Sequence, residues 1–218
     1  MLGLRLALAI SRGESWIGID TVGVPTDVLY VQVEISEPML HVRLKKMTGG
    51  TGNSKFHVVT EAFLKLDKGN HIVELREIIG RDKPRVIFID PFYKVLSGDV
   101  SQQPDVTKLL DNIDVLIAEM GCSVILLAHT RKGRYEDKRQ GDSDDLLGSV
   151  VLDAWPDAII KVERDNETSN HLKVLFEVLR HAPDDVNPVE LTFHRATLDF
   201  EVVEKKNDQL KLLKRKGE

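Results

Sequence analysis

The chain has 218 residues, of which 42% are hydrophobic and 30% charged, and its formal net charge is −5. These values exclude a disordered or fibrous protein, and the acidic balance means that any nucleic-acid surface must be local. A single cysteine, Cys122, excludes an internal disulfide framework and a cysteine-based metal site. No apolar stretch approaches the ~20 residues of a membrane span, and no clear cleavage site follows the apolar start, so we expect a cytoplasmic protein.

The first half of the chain alternates predicted strands and helices. The continuous Val/Ile/Phe run at 85–89 is typical of a strand buried on both faces of a parallel sheet. The second helix carries a modest apolar stripe formed by Met39, Val42, Leu44 and Met47. In chain order, the patterns predict a helix at 1–12, a strand at 27–34, a helix at 36–47, a short strand within 56–66, a helix at 72–79, a strand at 85–90, a helix at 105–120 and a strand at 122–128.

The second half is predicted to be rich in β-structure. Residues 130–147 combine many charges with several glycines, which predicts a loop. Antiparallel strands are then predicted at 156–164, 171–180, 189–193 and 198–203. The whole pattern predicts an α/β fold whose mainly parallel sheet is flanked by helices and extended by antiparallel C-terminal strands. We expect one domain over 1–204 and a basic tail, a frayed helix, over 205–218.

Three titratable residues stand at the ends of three successive predicted core strands: Glu34, Asp90 and His129. Right-handed crossovers bring the carboxyl ends of parallel strands to one edge of the sheet, so these residues are expected to converge. An aspartate at such an edge costs desolvation free energy unless it is paired or coordinates a cation such as Mg²⁺. Singly, each residue has a structural explanation, as a turn cap, a helix-start carboxylate or a loop histidine. Together at one edge they favour a functional site.

Four segments of the chain carry a resemblance to one protein family. Residues 31–44 resemble a hydrophobic strand, Glu, hydrophobic, Ser and helix pattern; 86–91 resembles a Walker B strand; 125–133 contains His-Thr-Arg-Lys-Gly; and 145–150 contains Gly-Ser. In this order they are similar to RecA-like hexameric helicases of the RepA branch. The resemblance implies a RecA-like P-loop ATPase fold, ATP and Mg²⁺ as cofactors, and DNA handling in replication or recombination by a homo-oligomeric ring such as a hexamer.

The resemblance also implies roles for the three edge residues. Glu34 would be the general base that orients the attacking water, and Asp90 would hold Mg²⁺ through water. His129 would be the sensor near the γ-phosphate. All three are therefore expected to contact the Mg²⁺-nucleotide, in a reaction whose acceleration comes mainly from positioning and charge neutralisation.

Further basic residues are assigned roles by the same resemblance. Arg131, Lys132 and Arg134 follow the sensor and would contact nucleic-acid phosphates. The alternative is a solvated loop, because nearby acidic residues dilute its positive charge. Arg180, at the end of a late strand, would be an arginine finger that reaches a neighbour's nucleotide, with a structural salt bridge as the alternative.

One family feature does not occur in the sequence, the phosphate loop Gly-x-x-x-x-Gly-Lys-Ser/Thr. Residues 1–12 resemble the helix after that loop, so the loop and the first core strand would precede Met1, and a gap inside the sheet is expected. Either the chain starts at an internal methionine, or the protein has lost nucleotide binding. Retention of the three edge residues favours the first explanation, and little or no hydrolysis is expected from residues 1–218.

Two other function classes stay open. One is a degenerate, non-catalytic scaffold or DNA-binding module of the same fold. The other is an unrelated doubly wound enzyme, which is opposed by the lack of a glycine-rich loop directly after a predicted strand in residues 27–128.

Overall fold

The computed structural model describes residues 1–61, 63–129, 150–164, 166, 168–182 and 186–203. Within these ranges, no helix combines the length and apolar character that crossing a membrane requires. In chain order the elements are α1 (Leu2–Arg12), β1 (Val28–Gln32), α2 (Glu37–Thr48), β2 (Phe56–Val59), α3 (Gly69–Asp82), β3 (Val86–Asp90), a 3-10 helix (Phe92–Val95), α4 (Gln103–Met120), β4 (Ser123–Leu126), α5 (Val150–Ala154), β5 (Ala158–Arg164), β6 (His171–Leu179), β7 (Val189–His194) and β8 (Asp199–Val202).

The chain divides into two compact units. The first contains residues 1–16 and 20–156, and the second contains residues 17–19 and the described residues beyond 156. The first unit holds a parallel sheet in the order β2-β1-β3-β4, and the second holds an antiparallel sheet in the order β5-β6-β7-β8. The α/β class is therefore confirmed, although the antiparallel strands form a sheet of their own. The proposed tail at 205–218 lies outside the described residues.

The parallel sheet is continuous across its four described strands. β1 pairs with β2 on one side and β3 on the other, and β3 pairs with β4. The gap expected from a missing core strand is therefore not seen between these strands. β4 is shorter than the predicted strand at 122–128, and Val124–Leu126 are only half-buried. The reason is that no described strand pairs with the second edge of β4.

Side-chain alternation gives the parallel sheet two apolar faces. Leu29, Val31, Ile87 and Ile89 lie in one core with the buried residues of α3 and α4. Tyr30 and Phe88 point to the opposite face, where their rings stack with centroids 5.6 Å apart. The buried residues of α1 and α2 do not belong to the α3–α4 core, and α1 packs against β1 and β2. Helices therefore cover the sheet on both sides.

The helix predictions hold for position but not always for orientation. α1 ends at Gly13, whose φ of 68° and contact with the Val24 backbone leave no place for a side chain. On α2, Leu40 and Met47 are buried, whereas Met39 and Val42 are 55% and 52% exposed. The predicted stripe was wrong because Met39 and Val42 lie about 100° and 160° around the helix from Leu40.

The second unit is an antiparallel sheet with one apolar core. Leu172, Val174 and Leu191 are buried on β6 and β7, and Phe193 and Phe200 pair across β7 and β8 with ring centroids 5.0 Å apart. A β-bulge shifts the register of β5 between Ile159 and Ile160. The four antiparallel strands predicted at the end of the chain are all present.

Candidate functional site

The three predicted edge residues lie at the carboxyl edge of the parallel sheet. Asp90 is the last residue of β3 and is opposite Gln32 in the β1–β3 register. Glu34 is in the turn between β1 and α2, and the backbone N–H of Val33 donates to the Asp90 carbonyl at 3.1 Å. His129 follows the end of β4. The parallel register therefore brings together residues that are far apart in the chain.

The Asp90 carboxylate is held by two neutral donors. The Tyr30 hydroxyl donates to Oδ2 at 2.5 Å, and the Gln32 Nε2 donates to the same oxygen at 3.2 Å. Burial, the Asp90 charge and this hydrogen bond all raise the pKa of Tyr30, so it remains a protonated donor. No described residue donates to Oδ1 or forms an ion pair with Asp90. Within the described part of the chain, the carboxylate therefore has no cationic partner and one of its oxygens is available.

Gln32 connects the Asp90 carboxylate to the turn that carries Glu34. Its side chain is buried, at 4% exposure, and its Oε1 accepts hydrogen bonds from the backbone N–H groups of Glu34 at 2.7 Å and Ile35 at 3.2 Å. Both ends of the amide are used, which is how a buried polar side chain avoids a desolvation cost. Sequence reasoning missed this residue, although a polar side chain ending an apolar strand was a usable signal.

Replacing Gln32 by leucine should lower the free energy of unfolding by about 1–3 kcal/mol, because the turn's N–H groups and the Asp90 carboxylate lose their partner. Urea unfolding followed by circular dichroism measures the change. The matched control is Gln102→Leu, since Gln102 precedes α4 without a side-chain cap bond. Equal losses for the two variants would contradict the bridging role of Gln32.

Tyr93 brings Glu34 and His129 together. Its hydroxyl donates to Glu34 Oε1 at 3.0 Å, and its ring lies 5.9 Å from the His129 ring, tilted by 53°. Glu34 and His129 are both exposed, whereas Tyr93 is half-buried. Burial, the hydrogen bond to Glu34 and the charges of Glu34 and Asp90 raise the pKa of Tyr93. Sequence reasoning did not single out Tyr93, because nothing local shows which strand end its side chain will meet.

The backbone after Tyr93 is fastened by the segment before α3. The Asp67 carboxylate, 7% exposed, accepts hydrogen bonds from the Ser97 hydroxyl and the Ser97 N–H. The Lys65 ammonium donates to the carbonyls of Lys94 and Leu96. Burial alone would raise the pKa of Asp67, but the Ser97 hydrogen bonds outweigh it and hold the pKa below its ordinary 3.8.

The Asp67 contact predicts a pH dependence of stability. Because the folded-state pKa is depressed, the contact stabilises the protein above the ordinary value and the stabilisation is lost as the pH falls through the folded value. Asp67→Asn should therefore cost about 1–2 kcal/mol at pH 6 and less at pH 2. Urea unfolding at both pH values measures this, with the exposed Asp111→Asn as the control. A cost that does not shrink at low pH would contradict the charge-assisted contact.

The residues present fit a hydrated Mg²⁺ at Asp90. Mg²⁺ is usually held by one or two carboxylates with several waters and substrate phosphates. Asp90 offers one free oxygen and a charge without a described ion-pair partner, which suits such an ion. Among the described residues, no group of three or more His, Cys, Asp or Glu could enclose a metal. The fit is therefore to a single-carboxylate site and not to an all-protein cage.

The other predicted functional residues are placed differently. Arg180 directly follows β6 in the second unit, is exposed, and donates its backbone N–H to the Asp157 carbonyl at 2.9 Å. Arg131, Lys132 and Arg134 lie outside the described residues. Their roles stay predictions.

The parallel β2-β1-β3-β4 sheet, covered by helices and with acidic residues at its carboxyl edge, defines a RecA-like α/β domain. A family model described as AAA domain matches residues 1–135. The chain belongs to this family.

Solved structures share the fold at low sequence identity. The ATPase domain of a helicase is 18% identical over 82% of this chain and 75% of that chain, with a TM-score of 0.65. A KaiC-like protein from the hyperthermophilic archaeon Pyrococcus horikoshii OT3 is 12% identical over 84% of this chain and 77% of that chain, with a TM-score of 0.57. No curated protein sequence matches the chain. The predicted RecA-like fold is confirmed.

Proposed function

We propose that the chain is an ATPase domain of the replicative-helicase type that couples Mg²⁺-dependent ATP hydrolysis to DNA handling in replication or recombination. The observation that carries the proposal is the Asp90 carboxylate, held by two neutral donors with one oxygen left over, beside Glu34 at the edge of a parallel sheet. Membership of the AAA domain family supports nucleotide chemistry at this edge.

Each edge residue has a distinct proposed role. Bound Mg²⁺ would neutralise phosphate charge, and Asp90 would hold it through water. Glu34 is exposed and has Oε2 free of described donors, so it can orient and deprotonate a water molecule. His129 is exposed above β4 and would donate a hydrogen bond to the γ-phosphate. Positioning of these groups supplies most of the acceleration in phosphoryl transfer.

The start of α1 supports a phosphate site at the same edge. Gly3 lies so close to the Leu127 side chain that a Cβ atom would overlap it, which places the first turn of α1 beside the carboxyl end of β4. Helix N-termini favour anions because their N–H groups are unpaired and the helix dipole is positive there. A phosphate loop placed before α1 would therefore reach the side of the sheet that carries His129.

The test compares residues 1–218 with a matched chain extended before Met1 by a strand and a Gly-x-x-x-x-Gly-Lys-Ser/Thr loop. We expect the extended chain to bind Mg²⁺-ATP in calorimetry and to hydrolyse it, and residues 1–218 to show little or no turnover. A second extended chain with alanine at the loop lysine is the control. The proposal is wrong if the extended chain binds no ATP, or if residues 1–218 show turnover that is lost on Asp90→Ala.

A second candidate function is a non-catalytic scaffold or DNA-binding module of the same fold. The observation that favours it is the absence of a phosphate loop from the sequence 1–218. This candidate predicts single-stranded DNA binding without ATP by either chain. Fluorescence anisotropy across a salt series measures the binding, and each lost phosphate contact among Arg131, Lys132 and Arg134 should reduce the salt slope by about 0.7.

We further propose a cytoplasmic homo-oligomeric ring, with a hexamer as the expected size, in which Arg180 is an arginine finger. Sedimentation velocity with and without Mg²⁺-ATP measures assembly. Arg180→Ala should leave assembly unchanged and lower turnover. An unchanged turnover would leave Arg180 as a surface residue.

A further inference from the structure

We propose that Tyr93 is a positioning residue that fixes the Glu34 carboxylate and couples it to His129. This inference rests on the proposed function, because Glu34 and His129 are its catalytic base and sensor. Tyr93 touches both residues, through its hydroxyl on Glu34 at 3.0 Å and its ring beside the His129 imidazole.

Tyr93 stands on a rigid base. Phe92 and Val95, on either side of it in the 3-10 helix, are fully buried. The Phe92 N–H donates to the Leu127 carbonyl at 2.9 Å, and the Leu66 N–H donates to the Val95 carbonyl at 2.8 Å. The backbone that carries Tyr93 is therefore tied both to β4's end and to the segment before α3.

Glu34, in contrast, has little to hold it. Its side chain is exposed, and the Tyr93 hydroxyl is its hydrogen-bond partner among the described residues. A long exposed carboxylate samples several rotamers, and fixing one of them costs conformational entropy. The Tyr93 bond at Oε1 selects one rotamer and leaves Oε2 for a water molecule. Alignment of a reacting group in this way lowers the entropic part of the barrier.

The environment keeps Tyr93 a donor to Glu34. Its pKa is raised by burial, by the Glu34 hydrogen bond and by the charges of Glu34 and Asp90, so the hydroxyl stays protonated at neutral pH. The Lys94 ammonium lies 5.6 Å from the ring centroid and holds the ring by a cation–π contact. The His129 ring lies against the same ring. A movement of His129 on meeting a phosphate would therefore press on the residue that orients Glu34.

The role is tested first on residues 1–218 by ultraviolet titration at 295 nm. The difference between the chain and its Tyr93→Phe variant isolates the ionisation of Tyr93. We expect Glu34→Gln to lower the pH at which Tyr93 ionises, because it removes the charge that opposes phenolate formation. An unchanged ionisation would overturn the Tyr93–Glu34 contact without reference to hydrolysis.

The second test measures ATP turnover in the chain extended by a phosphate loop. Tyr93→Phe should lower kcat roughly tenfold and leave KM within about twofold, because the base is still present but misaligned. In the Glu34→Gln background the same change should add nothing, since the group to be positioned is gone. The matched control is Ser101→Ala, which removes another hydroxyl-to-carboxylate bond, to Asp99 at 2.8 Å.

The possible outcomes separate the two proposals. If Glu34→Gln lowers turnover and Tyr93→Phe matches the unmodified chain, the positioning role is wrong and the proposed function stands. Additive losses for Glu34→Gln and Tyr93→Phe would also overturn the positioning role. If the extended chain shows no turnover, or turnover insensitive to Glu34→Gln, both proposals fail.

Discussion

Asp90→Asn in the chain extended by a phosphate loop should lower Mg²⁺-dependent ATP turnover on the order of 10³-fold, since a catalytic metal is worth several kcal/mol of barrier. Asparagine has the shape of aspartate and can still accept a hydrogen bond from Tyr30, but it removes the charge that would hold Mg²⁺. Steady-state turnover across a Mg²⁺ titration measures the loss.

The matched control for this change is Asp99→Asn. Asp99 is also an aspartate in a turn, exposed and bonded to Ser101 at 2.8 Å, but it lies nine residues further along the chain and has no proposed role. Thermal unfolding of both variants shows whether the fold is retained. Normal turnover of a folded Asp90→Asn chain would sink the assignment of Asp90 as the Mg²⁺ carboxylate.

Phe88→Ala should lower the free energy of unfolding by about 3–5 kcal/mol, which is the usual cost of deleting a buried aromatic side chain. Phe88 is fully buried on β3, and its ring stacks on Tyr30. The cavity would also loosen Tyr30, a donor to Asp90. Urea unfolding followed by circular dichroism gives the change from the shift in midpoint and the slope.

Phe63→Ala makes the same chemical change on the surface and serves as the control. Phe63 is 83% exposed, so its replacement should change stability by less than about 0.5 kcal/mol. A similar loss for both variants would mean that burial does not explain the effect at Phe88.

Local patterns were enough to predict most elements of the first unit. The apolar runs at β1 and β3, the caps at Gly13 and Gly121 and the helical spacing of α4 all depend on neighbours within a few residues. The strand ends were also predictable, because Pro91 follows Asp90 and prevents β3 from continuing. Placement of acidic residues at one edge then follows from the handedness of parallel crossovers.

Orientation and exposure were harder to predict. The stripe on α2 was wrong because the sheet, and not the helix's own composition, decides which face is buried. β4 was expected to be fully buried, yet it is half-buried, since its exposure depends on whether a further strand lies beside it. The apolar sequence of β4 states a preference for burial, but it contains no information on neighbours.

The sequence by itself determined the α/β class, the order of strands and helices, and the positions of Glu34, Asp90 and His129 at strand ends. Only the tertiary structure decided which side chains hold them. Gln32 meets Asp90, and Tyr93 meets Glu34, across separations of 58 and 59 residues. Such contacts depend on the strand register and on the path of the 3-10 helix. Those are set by packing of the whole sheet, so no local pattern encodes them.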